Sequence, residues 1–175
     1  MLEKFSTVKA FIFDIDGVLS DGKVLLLPDG TQARNMNVKD GYALQLAVKK
    51  GYHVGIISGG SSKEAYNRLK GLGIQDIHLS AFDKLDTLKE IVHTYNLSYD
   101  EILYMGDDIP DYEVLSQVGV PCAPANAAEE IKQVANYVSP YAGGEGCVRD
   151  VIEKVMKLQN KWFEPSSSTS ESFKW

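Results

Sequence analysis

The sequence predicts an α/β protein, a Rossmann-like parallel sheet sandwiched by helices, and three observations carry that reading. Runs rich in Val, Ile and Phe alternate with segments of helical period, which is the pattern of parallel strands joined by crossover helices. Three of the runs end directly in polar groups, at Asp14-Ile15-Asp16, Ser58-Gly59 and Gly106-Asp107-Asp108. In an open parallel sheet the carboxyl ends of the strands share one edge, so these groups converge where ligands bind. The stretch 20–36 breaks the alternation and reads as an inserted β-hairpin.

The strands read from the sequence are 8–13, 53–57, 77–80, 102–105 and 120–123. Between them Leu85, Leu88, Ile91, Val92 and Tyr95 recur at helical spacing, and Ala65, Leu69 and Leu72 do so more weakly. Ser61 followed by Glu64 has capping-box spacing, and Gly71 or Gly73 suits the left-handed residue that ends the same helix. In the insertion, 23–27 reads as a strand, Pro28-Asp29-Gly30 as a turn and 31–35 as the return strand. A hairpin outside the main sheet has little core to enter, so Leu25, Leu26 and Leu27 mark an interface or pack on the chain's own helices. Residues 1–164 read as one domain, and 165–175, rich in serine, as a tail.

Composition excludes several classes. A chain of 175 residues that is 44% hydrophobic builds a core without disulfide or metal staples. Its formal charge of −6 and pI near 5.1 disfavour nucleic acid, which requires clustered Lys and Arg. Cys122 and Cys147 lack metal-ligand or redox-pair spacing and read as small buried side chains, as suits a reducing cytoplasm. The first apolar stretch is interrupted by Asp14 and Asp16 and has no small-residue cleavage site, so it is neither a signal peptide nor a membrane span.

The convergent groups specify a chemistry. Several carboxylates at one edge raise one another's pKa or demand a cation, and an all-oxygen donor set favours a hard ion such as Mg2+. Asp14 beside such an ion is suited to attack phosphorus, and Asp16, two residues on, to protonate the leaving alkoxide and later deprotonate water. Ser58 supplies a hydroxyl, the backbone N–H groups of Gly59 and Gly60 a phosphate cradle, and Lys84 positive charge for the phosphoryl oxygens. Read singly, each has a plainer explanation: strand-end solvation for the aspartates, a helix cap for Ser58, a solvated surface group for Lys84. A receiver domain also gathers carboxylates, a hydroxyl and a lysine on a parallel sheet, but with its acidic pair near the start and without the Asp-x-Asp-Gly turn. His53, His78 and His93 show no metal spacing.

The four motifs taken together resemble the haloacid dehalogenase superfamily, which they match in order. They are Asp14-Ile-Asp16-Gly17-Val18-Leu19, Ser58, Lys84 and Gly106-Asp107-Asp108-Ile109-Pro110-Asp111. The resemblance implies that Asp14, the backbone carbonyl of Asp16 and Asp107 hold Mg2+, with Asp108 and Asp111 supporting them. About forty residues separate the first motif from the second and about two dozen the second from the third, too few for a cap domain. Over nearly its full length the chain resembles the capless branch acting on 3-deoxy-D-manno-octulosonate 8-phosphate, which forms tetramers closed by hairpins and tails of adjacent protomers. The shared features are the run 16–22, Val38-Lys39-Asp40-Gly41, Gly143-Gly144-Glu145-Gly146 and Val148-Arg149-Asp150. In that branch an Arg after the second motif meets the acidic sugar, and Arg68 occupies the comparable place; its planar fork suits a carboxylate. Arg68 and Arg149 read equally well as surface arginines. A related branch acting on nine-carbon keto-deoxy sugar phosphates tends to carry an acidic residue where this chain has Gly60. A noncatalytic relative, the oligomerisation module of some sialic acid cytidylyltransferases, shares the fold, and an open site also admits a phosphorylated macromolecule. The resemblance thus implies a cytoplasmic, Mg2+-dependent phosphatase of an acidic sugar phosphate, working as a homo-oligomer.

Overall fold

Successive side chains of a strand point to opposite faces, so a strand that is apolar at every position must be covered on both sides. A computed structural model, describing residues 2–163, meets that requirement. In chain order its elements are α1 (Leu2–Ser6), β1 (Ala10–Phe13), β2 (Leu25–Leu26), β3 (Gln32–Ala33), α2 (Val38–Lys49), β4 (His53–Ile57), α3 (Lys63–Gly71), β5 (Asp76–His78), α4 (Lys84–Tyr95), β6 (Ile102–Met105), α5 (Tyr112–Leu115), β7 (Val120–Ala123), α6 (Glu129–Val134), β8 (Tyr137–Val138) and α7 (Cys147–Leu158).

Six strands form a parallel sheet in the order β5-β4-β1-β6-β7-β8. Phe11 and Phe13 of β1 enter one hydrophobic layer with residues of α2, α3 and α7, while Ala10 and Ile12 enter the other with residues of α4, α5 and α6. The chain winds outward from β1 through β4 to β5 and then returns to the other side of β1 with β6. That reversal is the switch point of the sheet. In register, Phe13 lies opposite both Ile56 and Met105, so β1, β4 and β6 end within one residue of each other and the polar groups that follow them share one edge.

The hairpin is present and shorter than the sequence suggests. β2 and β3 pair antiparallel, Leu25 opposite Ala33 and Leu26 opposite Gln32, and the Ser20–Met36 bridge closes the base against the end of the first motif. Leu25 and Leu26 are 64% and 73% exposed, so the leucine run does not pack on this chain's own helices. No cap domain intervenes between the hairpin and the sheet.

Two local expectations are corrected. The cap of α3 is Ser62, whose Oγ accepts from the Ala65 N–H at 3.2 Å, and its end is Leu72 followed by Gly73 at φ +92°, so Ser61 and Gly71 have neither role. β5 begins one residue early and stops at His78, because Ser80 adopts φ +54° and donates its N–H to the Gly60 carbonyl instead of continuing the ladder. The helices α1, α2, α5, α6 and α7 and the edge strand β8 are additions to the sequence reading. Among the described residues no helix is long and apolar enough to cross a membrane. The serine-rich stretch read as a tail lies outside the described residues.

Candidate active site

Each site residue is positioned by the end of an element. Asp14 follows β1, is buried, and accepts from the Ile15 N–H with Oδ1 at 2.6 Å. Its own N–H donates to the Met105 carbonyl of β6. The chain then makes one wide helical turn over Ile15–Leu19 in which Gly17 has φ +84°. Gly17 is required twice over, since a Cβ there would also overlap the Asp107 carboxylate. Gly143 packs from outside on the same turn, and a Cβ on it would overlap the Gly17 carbonyl. Gly144 N–H donates to the Val18 carbonyl at 3.0 Å. The Gly143-Gly144 loop is therefore a buttress for the first motif.

Lys84 is the first residue of α4, whose cap is Asp83, and its buried ammonium lies 2.9 Å from Asp14 Oδ2 and 2.7 Å from Asp111 Oδ1. Asp111 is buried after β6, and accepts further from the Tyr104 hydroxyl at 2.6 Å and the Asp107 N–H at 3.2 Å. Oxygens of Asp14, Asp107 and Asp111 all lie within 4.8 Å of one another. Ser58 follows β4, is buried, and its Oγ accepts from the Gly60 N–H at 3.2 Å. Ser58, Gly59 and Gly60 face the carboxylates across an open cleft of about 330 Å³ that Asp16 and Asp108 also line.

The electrostatics follow from burial. Desolvation, reinforced by Asp111, pushes the Asp14 carboxyl up to about 6 against the pull of Lys84. Desolvation together with Asp14, Asp111 and Asp108 pushes Asp107 up to about 7. Burial alone would lower the Lys84 ammonium, but Asp14 and Asp111 outweigh it and raise it. Three clustered carboxylates thus face one ammonium, and the charge left over, on an all-oxygen donor set, fits a hard divalent cation.

The structure therefore brings together Asp14, Asp16, Ser58, Gly59, Gly60, Lys84, Asp107, Asp108 and Asp111. Asp108 stands at the rim, exposed, and caps the turn at Ile109–Asp111 through its Ile109 contact at 2.9 Å. Arg68 lies one cavity away, where a Cβ at Gly41 of α2 would come within 2.9 Å of its Nη2.

Two residues of the site escaped the sequence reading. Tyr104 is a fully buried hydroxyl in an apolar strand, and such a group needs a partner nearby, which was the available signal. Arg34, just after β3, grips the Asp16 carboxylate with Nε on Oδ1 at 2.6 Å and Nη2 on Oδ2 at 3.1 Å. The signal for Arg34 was the hairpin itself, whose return strand must bring residues near 34 back to the first motif.

Comparison with known proteins agrees with this geometry. Residues 71–152 match the model of a family described as haloacid dehalogenase-like hydrolase. The chain is 32% identical over 161 residues to the 3-deoxy-D-manno-octulosonate 8-phosphate phosphatase of Yersinia pestis, covering 92% of this chain and 86% of that one. The crystal structure of the Yersinia pestis protein superposes with a TM-score of 0.89, covering 91% of this chain and 86% of that one at 32% identity. The corresponding phosphatase from Moraxella catarrhalis, in complex with a magnesium ion, a phosphate ion and KDO, superposes with a TM-score of 0.88 at 34% identity, covering 91% of each chain. A chain that shares the fold, most of its length and a third of its residues with these enzymes, and that gathers the four motifs at one sheet edge, belongs to the haloacid dehalogenase-like hydrolases and is a phosphatase.

Proposed function

We propose that this phosphatase hydrolyses 3-deoxy-D-manno-octulosonate 8-phosphate, with Mg2+ as cofactor and an aspartyl-phosphate formed on Asp14. The observation that carries the reading is the cluster of Asp14, Lys84, Asp107 and Asp111 beside the Ser58-Gly59-Gly60 turn. The similarity to enzymes of that substrate supplies the sugar.

In this reading Asp14 attacks phosphorus with a carboxylate oxygen while the ester oxygen leaves. Asp16 protonates the departing alkoxide and then takes a proton from the water that cleaves the acyl phosphate. The Lys84 ammonium, the Ser58 hydroxyl and the backbone N–H groups of Gly59 and Gly60 hold the phosphoryl oxygens. Asp14, the Asp16 carbonyl and Asp107 are the residues that would hold magnesium, with Asp108 and Asp111 behind them. The bound ion screens the repulsion between the Asp14 carboxylate and the phosphate. Asp111, already committed to Lys84 and Tyr104, keeps the lysine aimed.

Gly60 supports the eight-carbon sugar over a nine-carbon one. The nine-carbon branch tends to carry an acidic residue there, and in this chain a Cβ at that place would lie 3.4 Å from Asp16 Oδ2, so such a residue would add a second negative charge beside Asp16. Arg68 is the candidate for the sugar's acid group. The open site is completed by assembly: Leu25, Leu26 and a nearly bare Phe82 beside the cleft offer apolar surface to a second copy, and a homotetramer suits them. Two buried free thiols, Cys122 and Cys147, accord with a cytoplasmic setting.

The test is phosphate release over a panel of sugar phosphates with and without magnesium. Turnover of the eight-carbon acid, dependent on the metal and lost in Asp14→Asn, is expected. Preference for a nine-carbon ester would move the substrate assignment, equal activity in the mutant would remove the mechanism, and release from no ester at all would favour a noncatalytic oligomerisation module.

A further inference from the structure

Arg34 stands on the wall between two cavities. On one side its guanidinium closes a two-point pair on Asp16, inside the phosphate cleft. On the other it lines a neighbouring cavity of about 210 Å³ together with Arg68, Met36, Ser62, Glu64 and Ala65. Its side chain is only 8% exposed, whereas that of Asp16 is 36% exposed, so the guanidinium is held out of bulk water while the carboxylate faces the open cleft.

The geometry has a chemical consequence for Asp16. Both of its carboxylate oxygens accept from Arg34, and Oδ1 accepts from the Ser20 hydroxyl as well, at 3.3 Å. While this pair is closed, Oδ1 is filled by two donors and Oδ2 keeps one open lone pair, so the fork limits how the carboxylate can meet a leaving group or a water. Arg34 itself is not saturated. Of the five N–H groups of a guanidinium, two are on Asp16 and one is on the Gln32 carbonyl at 2.9 Å. The other two find no acceptor among the described residues.

The second cavity carries two guanidinium groups against one carboxylate, that of Glu64, which already accepts from Ser62 Oγ at 3.3 Å. That balance suits an incoming anion. A carboxylate there would meet Arg68 and the free donors of Arg34, and it is the same kind of partner as Asp16, with the same match to the planar fork.

We infer that Arg34 is a positioning residue shared between Asp16 and the acid group of the substrate. In the empty enzyme its fork holds Asp16; when an acidic sugar phosphate binds, the substrate carboxylate draws the fork across and frees an Asp16 oxygen for the leaving alkoxide. Recognition of the acid at one end of the substrate thereby enables proton transfer at the other. The inference rests on the reading of the chain as a phosphatase of an acidic sugar phosphate, and it adds a specificity device to that reading.

The test compares wild type with Arg34→Gln and Arg34→Lys on two alkyl esters, 3-deoxy-D-manno-octulosonate 8-phosphate and a neutral sugar phosphate without a carboxylate, both of which need a proton on the leaving oxygen. In Arg34→Gln the ratio of kcat/KM, acidic over neutral, should fall about tenfold or more, the loss of one charge-assisted contact. Most of that loss should lie in KM for the acidic ester. Arg34→Lys, which keeps the charge without the fork, should fall between the two. The lysine variant also serves if the glutamine variant does not fold. A ratio that stays at the wild-type value in the folded variants, with both esters slowed alike, would show that Arg34 only braces the hairpin and would overturn the inference. Wild type that releases phosphate from neither ester would instead overturn the phosphatase reading beneath it.

Discussion

Asp40 sits in the first turn of α2, 1% exposed, and its Oδ1 accepts from the Arg149 N–H at 2.7 Å. Arg149 is the third residue of α7, whose cap is Gly146, a residue with no side chain to satisfy that donor. Asp40 thus supplies from another helix what a capping Ser or Asp supplies locally, and its charge faces the positive end of the α7 dipole. The charge is nevertheless costly: Oδ2 is buried without a hydrogen-bond partner, and desolvation pushes the carboxyl from 3.8 up to about 6. An acid whose pKa rises on folding binds more protons folded than unfolded. Its contribution is therefore fully present below the unfolded value of 3.8 and is lost as pH rises through about 6. A shift of that size corresponds to about 3 kcal/mol in full, of which about 1.4 kcal/mol falls between about pH 5 and about pH 7.5. Asp40→Asn keeps a carbonyl for the Arg149 N–H and removes the charge. Its amide, set where Oδ2 is now, loses about 1 kcal/mol for want of an acceptor. Urea unfolding of metal-free protein should show the variant about 2 kcal/mol more stable near pH 7.5, with the advantage shrinking by about 1.4 kcal/mol near pH 5. A difference that does not change with pH, or a variant less stable throughout, would refute the assignment of the cost to the buried charge.

Two further outcomes follow from the same kind of reasoning. Lys84→Met removes the ammonium that holds Asp14 and Asp111 together, so the metal-free variant should lose about 3–5 kcal/mol of stability in urea unfolding, and magnesium should return part of it. Leu25→Asp with Leu26→Asp should drive the assembly toward monomer in sedimentation, because each leucine withdrawn from a contact forfeits about 1.5–3 kcal/mol, while the far-ultraviolet spectrum stays that of wild type.

The sheet was legible because its central strands are almost wholly apolar and short. His53–Ile57, Ile102–Met105 and Val120–Ala123 read to the residue, since they are followed by Ser58, Gly106 and Pro124, which end the apolar runs. The helix α2 was not legible, because its buried face includes Asp40, Gly41 and Gln45, and polar residues there blur the helical period. The same polar residues have tertiary reasons, a cap for α7 in one case and room for Arg68 in another, that no local window contains. In the site, the aspartates and Lys84 were legible as ordered motifs. Arg34 was not, because its partner is 18 residues away across a hairpin whose closure depends on the Ser20–Met36 bridge. Asp111 was read as support for a metal site; its contacts with Lys84, Tyr104 and the Asp107 N–H, which tie the lysine to the sheet, were not legible.

These contacts divide the site into two parts of unequal rigidity in construction. Asp14, Lys84, Asp111 and Tyr104 are buried, joined by contacts of 2.6–2.9 Å, and fixed to β1, β6 and the start of α4. Asp16 shares their cleft but answers to Arg34, and Arg34 belongs to a hairpin whose leucines are exposed among the described residues. In the proposed mechanism attack on phosphorus needs only the first part, because Asp14 and the lysine are set whatever the hairpin does. In the same mechanism departure of a poor leaving group needs the second, since the proposed donor of a proton to the alkoxide is Asp16. An aryl phosphate, whose leaving group departs unprotonated, should therefore be largely indifferent to the hairpin, and an alkyl phosphate should not. An assembly through the hairpin, as proposed, would then bear on catalysis at one step only, the proton transfer, and leave the phosphoryl-transfer machinery of the sheet edge as it is.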